Sequence, residues 1–328
     1  MPFITSAKCV VMWQTANYRM NALSAGRRRI SLQRLTSKQC SERRMVMAAL
    51  RIIIGILILV TLVLPQRTFA VEKPLWELGV GGGFLLMPDY RGSDETRAYL
   101  LPFPYAIYRG GVFRLEDKRV AARIFKTDRI TLDASGYGAV PVRSGNNDAR
   151  LWMPDLDATF ELGPSLRIKL LESKENRYLL SLALPVRAVF STDFRTVRYE
   201  GFVFSPRLNF EKGDVIPGTG VYAGMSTGPM FADRGYHNYF YEVEPQYAML
   251  SRRAYTPDGG YSGSAFTLGV GKDYKQFKFQ AFASIDFLQG AVFEESPLVK
   301  RKMSWMGGFS ITWVFMKSEK TVEDESPY

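Results

Sequence analysis

His237 is the only histidine in the chain, so a Ser-His-acid hydrolase built from this sequence would have to use it. Ser226 and Ser251 are the nearby seryl groups, and neither lies in a recognisable nucleophile setting. The neighbours Tyr236, Asn238 and Tyr239 read more simply as an aromatic loop at a membrane interface. Glu242 and Glu244 offer paired carboxylates of the kind a glycosidase uses. Two residues apart on an extended strand, they point to the same side and read as a polar pair lining an interior. Asp89, Asp94 and Glu95, beside Arg91 and Gly92, present the oxygen ligands that calcium takes, without the regular acidic spacing of an EF-hand loop. The expectation is a structural loop in which Asp89 or Asp94 is tied to Arg91 or Arg97. No catalytic set, metal site or cofactor is expected, and the chain is read as non-enzymatic.

The elements that would carry these residues have period two. Leu166, Ile168 and Leu170 alternate with Ser165, Arg167 and Lys169, and Leu180 to Phe190 alternates with Ser181, Ala183, Pro185, Arg187 and Ser191. The same holds for Phe202, Phe204, Leu208 and Phe210 against Ser205, Arg207, Asn209 and Glu211, and for Phe277 to Phe287 against Lys278, Gln280, Ser284 and Asp286. Successive side chains of a strand point to opposite faces, so each segment has one apolar and one polar side. Strands of about 10 to 15 residues exceed the five or six usual in soluble sheets and match the 9 to 11 that cross a bilayer.

With 13% aromatic residues and charge concentrated on the alternate face, the apolar side is read as facing lipid and the polar side as facing a lumen. The alternative is a soluble sandwich with that apolar side in its core. Arg167, Lys169, Arg187, Arg207, Glu211, Lys278 and Asp286 are then lumen-facing charges. They would either set ion selectivity or pair across the lumen and partly plug it. Gly79, Gly81, Gly82 and Gly83 fall in the first strand, where small residues suit close strand approach or a plug.

The expected fold is all-β, an antiparallel up-and-down transmembrane barrel. Its strands are placed at 76–86, 99–109, 111–123, 129–140, 154–170, 178–191, 196–211, 219–231, 238–248, 263–274, 276–288 and 301–315. Twelve is the expected count and ten the alternative, because 111–123 and 238–248 alternate poorly. With the first strand starting in the periplasm, 87–98, 249–262 and 289–300 become outward loops, whereas 141–153 falls on the opposite side. The last strand sets Phe309, Ile311, Trp313 and Phe315 on one face, an aromatic terminal signal of the type barrel assembly reads.

The net charge of +11 suggests a nucleic-acid partner only until its location is considered. Residues 1–70 hold eleven of the 43 basic residues and one of the 32 acidic ones, leaving 32 against 31 in the remainder. No nucleic-acid partner is expected. Ile52 to Leu64 is a 13-residue apolar run behind Arg43, Arg44 and Arg51, the size of a signal h-region rather than of a membrane helix. The expected organisation is a basic leader at 1–44, outside the protein if translation starts at Met45 or Met47, then a signal peptide at 45–70 cleaved after Ala70. The barrel at 71–315 and a hydrophilic tail at 316–328 complete the chain. Both cysteines, Cys9 and Cys40, lie in the leader, which leaves no disulfide or thiolate in the mature part.

Three stretches carry a family resemblance. Pro88-Asp89-Tyr90-Arg91-Gly92-Ser93-Asp94-Glu95 with Leu101-Pro102-Phe103-Pro104, then Ser251-Arg252-Arg253-Ala254-Tyr255 with Gly259-Gly260-Tyr261, then Glu295-Ser296-Pro297-Leu298-Val299, occur in that order. Together they resemble the MipA/OmpV family, the MltA-interacting proteins of the Gram-negative outer membrane. The resemblance implies a multi-pass outer-membrane barrel in contact with lipid, acting as a scaffold between a murein hydrolase and a murein synthase. A small-solute channel and an outer-membrane lipid hydrolase are the alternative functions.

Overall fold

The structure is a computed structural model, which describes residues 72–109, 113–116, 119–173 and 175–323. The expected leader, signal peptide and cleavage site lie outside the described residues. The described strands are β1 (Glu72–Pro74), β2 (Trp76–Pro88), β3 (Thr96–Arg109), β4 (Phe113–Glu116), β5 (Arg119–Lys126), β6 (Ile130–Ala139), β7 (Ala158–Ser173) and β8 (Tyr178–Thr192). They continue as β9 (Val197–Phe204), β10 (Arg207–Lys212), β11 (Val221–Ala232), β12 (Gly260–Tyr274), β13 (Phe277–Phe287), β14 (Met303–Lys317) and β15 (Thr321–Glu323). Among the described residues one α-helix, α1, spans Arg234–Tyr241.

β2 to β14 form one sheet of thirteen strands. β9 and β10 are two halves of a single strand interrupted at Ser205-Pro206, where proline lacks the N–H a ladder needs, and both halves pair with β8 and β11. That leaves twelve strand positions among the described residues. Each pairs antiparallel with its neighbour in sequence, and β14 pairs back onto β2 from Gly307↔Leu86 to Lys317↔Glu77. β14 therefore joins the first long strand, and the narrowest part of the circuit lies between β3 and β6, where β3 pairs with β4 only at Tyr108 and Arg109 and β6 pairs with β5 only at Thr131, Leu132 and Asp133.

The side that faces outward is settled by burial. Val80 and Trp313, on the apolar side, are 50% and 45% exposed, whereas Glu161 and Thr312, on the polar side, are 7% and 4% exposed. Leu162, Phe202, Leu208, Met225, Leu268, Phe309, Ile311 and Phe315 are likewise exposed, while Glu77, Thr159, Ser181, Ser191, Ser284 and Ser304 are buried. A soluble sandwich has the opposite arrangement, so this is the inside-out pattern of a membrane barrel. The aromatic row of the last strand stands on that outer face.

Two expected elements are corrected. Residues 111–123 are not one strand: β4 and β5 form a hairpin whose last pair is Glu116↔Arg119, at the charged run Glu116 to Arg119. Residues 238–248 are not a strand either. Asp233 caps α1 by accepting from the Tyr236 N–H at 3.0 Å, and the rings of Tyr236/Phe240 and His237/Tyr241 meet at tilted angles at the i, i+4 spacing of a helix. Glu242 and Glu244 accordingly lie in a loop, not on a lumenal face. One strand gained and one lost preserve the count of twelve but change the sides. Loops 89–95, 140–157, 233–259 and 288–302 now all leave the same rim, and 141–153 joins the others. The opposite rim carries the short turns 127–129, 174–177 and 275–276 and a longer connection at 213–220.

β14 continues to Lys317, and Thr321–Glu323 pairs with Glu72–Pro74 as a two-stranded ribbon at the turn rim. Leu75 N–H donates to Lys320 O, and Arg109 Nη1 donates to Pro74 O.

Candidate functional site

The four long loops pack into a core of their own. Tyr90, Val142, Ala149, Leu156, Tyr241, Val243, Leu288, Ala291, Phe293 and Leu298 are all buried there, with Tyr241 stacked on Phe293 at 3.7 Å between ring centroids and 7° between planes. The hydroxyl of Tyr90 donates to Leu298 O (2.9 Å), that of Tyr241 to Arg91 O (3.0 Å), and that of Ser296 to Tyr241 O (2.8 Å). Burial pushes the phenols of Tyr90 and Tyr241 well above the ordinary tyrosine range, so both remain donors. Two arginines stitch the remaining loops. Arg252 donates to the carbonyls of Tyr247, Ala149 and Leu151, and Arg150 donates to Phe240 O and Pro154 O and lies 5.9 Å over the Tyr90 ring.

The signature loop lies at the centre of this cap. The Asp89 carboxylate, fully buried, accepts from Arg97 Nε at 2.5 Å and from Asn147 Nδ2 at 2.8 Å. Asn147 also donates to Ser93 Oγ at 3.1 Å. Pro88 ends β2, and Asp94 is half-buried. Gly92, at φ 90°, allows its carbonyl to accept from both Lys300 and Arg301 N–H. Arg91 does not pair with its acidic neighbours. It turns into the barrel and meets Asp286 at 3.2 Å.

Of the other expected lumenal charges, Arg187 pairs with Glu161 at 2.7 Å and donates to Ser205 Oγ at 3.1 Å. Lys278 pairs with Asp273 (2.8 Å) and Glu77 (3.3 Å), and Glu77 also receives Arg109 (2.9 Å) and the Tyr105 hydroxyl (3.2 Å). Lys169 pairs along its own strand with Glu172 at 3.3 Å. Arg167 and Glu211 occupy inward register positions on β7 and β10. Arg207 lies within electrostatic range of Arg187, Tyr137, Asp286 and Arg91. The structure thus groups the charges into two lumenal layers, one around Glu77 and Lys278 at the turn rim and one around Arg91 and Asp286 beneath the cap.

His237 faces neither lipid nor solvent. It is 0% exposed, with Nδ1 2.6 Å from Asp258 O and Nε2 2.7 Å from Ser262 Oγ. The serine it meets is neither Ser226 nor Ser251, and its outer partner is a backbone carbonyl rather than a carboxylate. Ser262 is itself 0% exposed, so the pair has no surface on which to receive an ester. Burial holds the imidazole below its usual value, and a neutral ring joins α1 to the start of β12.

Three signature segments, the first and last of them about two hundred residues apart, therefore meet in one cap: Tyr90 on Leu298, Arg252 on the 140–157 loop, Ser296 on Tyr241. The sequence pattern of the family described as MltA-interacting protein MipA matches residues 80–315. The chain belongs to the MltA-interacting protein MipA family. With its inside-out strands, this MipA-family protein is an outer-membrane β-barrel. No curated protein matches the chain in sequence. Among solved structures, similarity extends to a bacterial polysaccharide outer membrane secretin (10% identity, TM-score 0.36, 75% of this chain and 100% of that one). It extends also to the COG4313 outer membrane channel from Pseudomonas putida F1 (12%, 0.33, 77% and 100%) and to outer membrane phospholipase A from Escherichia coli (10%, 0.29, 78% and 96%).

The cap was missed in the sequence because it consists of contacts between loops. Two signals pointed to it. The stretch 141–153 sat on the wrong side of the expected topology, and the aromatic spacing 236/240 and 237/241 is helical.

Proposed function

We propose that this MipA-family barrel is a non-enzymatic scaffold of the outer membrane that holds murein-processing proteins at its turn rim. The observation that carries this reading is the cap: four loops share a hydrophobic core, and its buried polar groups are held by loop carbonyls and strand-borne partners. A rim built this way favours a rigid body over an open entrance. The family's description, MltA-interacting, supports a murein hydrolase as one partner, and a murein synthase is the second. The short-turn rim, with the β1–β15 ribbon, is the periplasmic face in this reading, since periplasmic turns are short and external loops long. The outer apolar band contacts lipid.

The test is co-purification from membranes under mild detergent, with an unrelated outer-membrane barrel at the same expression level as control. Enrichment of a murein hydrolase or synthase over that control is expected, and its absence contradicts the scaffold reading. Steady single-channel conductance in planar bilayers would favour the channel reading instead.

A further inference from the structure

The inward face of β13 runs through the lumen in axial order. Lys278 belongs to the ionic layer at the turn rim, and Asp286 pairs with Arg91 beneath the cap. Between them, Gln280 and Phe282 line a cavity of about 340 Å³. Its other walls include Leu85 on β2, Leu101 and Phe103 on β3 and Tyr222 on β11. β3 and β11 are separated around the barrel by β2, β14, β13 and β12, so their side chains approach one another only across the interior. An apolar chamber therefore lies between two charged layers.

The glycines of this wall are of two kinds. At Gly81 a Cβ would fall 2.4 Å from the Phe103 ring, and at Gly271 it would fall 2.4 Å from the Tyr222 ring, so each of these glycines is covered by an aromatic side chain. Gly83, Gly224 and Gly269, which line the chamber, are uncovered. The nearest atoms to a Cβ there would be at 3.4, 3.7 and 3.8 Å, ordinary contact distances, and none of the three has a positive φ. Neither backbone conformation nor close strand approach requires glycine at these positions. Glycine in a strand interior weakens the strand, and what it supplies here is volume.

We propose that this chamber is a binding site for a small, uncharged aromatic molecule. The rings of Phe103, Phe282 and Tyr222 supply stacking surface, and the uncovered glycines leave a floor for a planar group. The Gln280 amide and the Ser310 hydroxyl supply a hydrogen-bonding edge. A charged ligand would exchange its hydration for apolar walls, which excludes it from the chamber centre.

The test uses 6-bromo-2-naphthol with the detergent-solubilised barrel, by titration calorimetry against micelles alone and by bromine anomalous scattering in soaked crystals. Saturable binding is expected, with the bromine peak among Leu101, Phe103 and Phe282. Gly224→Leu and Gly269→Leu fill the chamber and are expected to weaken binding at least tenfold while the barrel keeps its heat-modifiable gel migration. If the leucine variants do not fold, Gly224→Ala and Gly269→Ala serve in their place, with a smaller loss of affinity expected. A bromine peak confined to the outer apolar face overturns the proposal. So do heat no greater than that of micelles, and equal binding by wild type and the folded glycine variants.

Discussion

His237 is neutral, fully buried and held at both nitrogens, and its lowered pKa has a definite linkage consequence. A cap opened to solvent binds the imidazole proton below the usual value of 6.5, whereas the packed cap does not until its own lower value is reached. Cap stability is therefore full above pH 6.5 and falls as the pH drops through the interval down to that lowered value. The groups facing the ring, Asp233, Asp258, Arg91, Tyr236 and Tyr241, oppose one another in sign and do not reverse this direction. Hydrogen-exchange protection factors of residues 233–262, corrected for the pH dependence of intrinsic exchange, are expected to fall between pH 7 and pH 5, and this loss of protection to flatten in His237→Gln. Tyr241→Phe removes one buried hydrogen bond, to Arg91 O, at a cost of about 1 kcal/mol. Phe293→Ala removes the stacked ring, at about 3 to 5 kcal/mol. Limited proteolysis within 233–259 should rank the two variants in that order.

At the scale of elements, the period-two segments were legible because the two faces of each strand meet different environments. Leu180 to Phe190 and Phe277 to Phe287 became β8 and β13 nearly to the residue. Legibility failed where the solvent is protein on both sides. α1 packs Tyr236 against the barrel wall at Val189 and Val203, and Tyr241 into the cap, so no strand-like alternation could show there. The hairpin of β4 and β5 was hidden for a different reason: a two-residue connection between charged residues carries no glycine or proline to mark it. The ladder itself yields a sharp prediction. At Gly163 a Cβ would lie 2.0 Å from Val186 O, and at Gly228 1.9 Å from Pro206 O, both backbone atoms of the adjacent strand. Gly163→Ala and Gly228→Ala are expected to cost about 1 to 3 kcal/mol or to block assembly, lowering the temperature at which heat-modifiable migration is lost. Gly82→Ala, with nothing within 4 Å, should leave that temperature unchanged.

For the whole molecule, the sequence carried the barrel class, and the family motifs marked the loops that close its rim. The lumen was half legible. Its charges could be named from alternation, but which of them pair depends on strand register, so Glu77, Arg109 and Tyr105 around Lys278 went unrecognised. The central claim is that β14 returns to β2, which sets the outward apolar faces of the two strands side by side. Both cysteines lie within residues 1–70, so an engineered pair in the barrel meets no cysteine of the strands. The most direct measurement is disulfide formation in outer-membrane fractions between cysteines placed at Gly82→Cys and Ile311→Cys, which are Cα partners. The account predicts efficient oxidation to an internally linked chain with altered gel migration, reversed by reductant and absent when Gly82→Cys is combined with Phe315→Cys. Failure of the registered pair to link, with the barrel otherwise assembled, would contradict the return of β14 to β2.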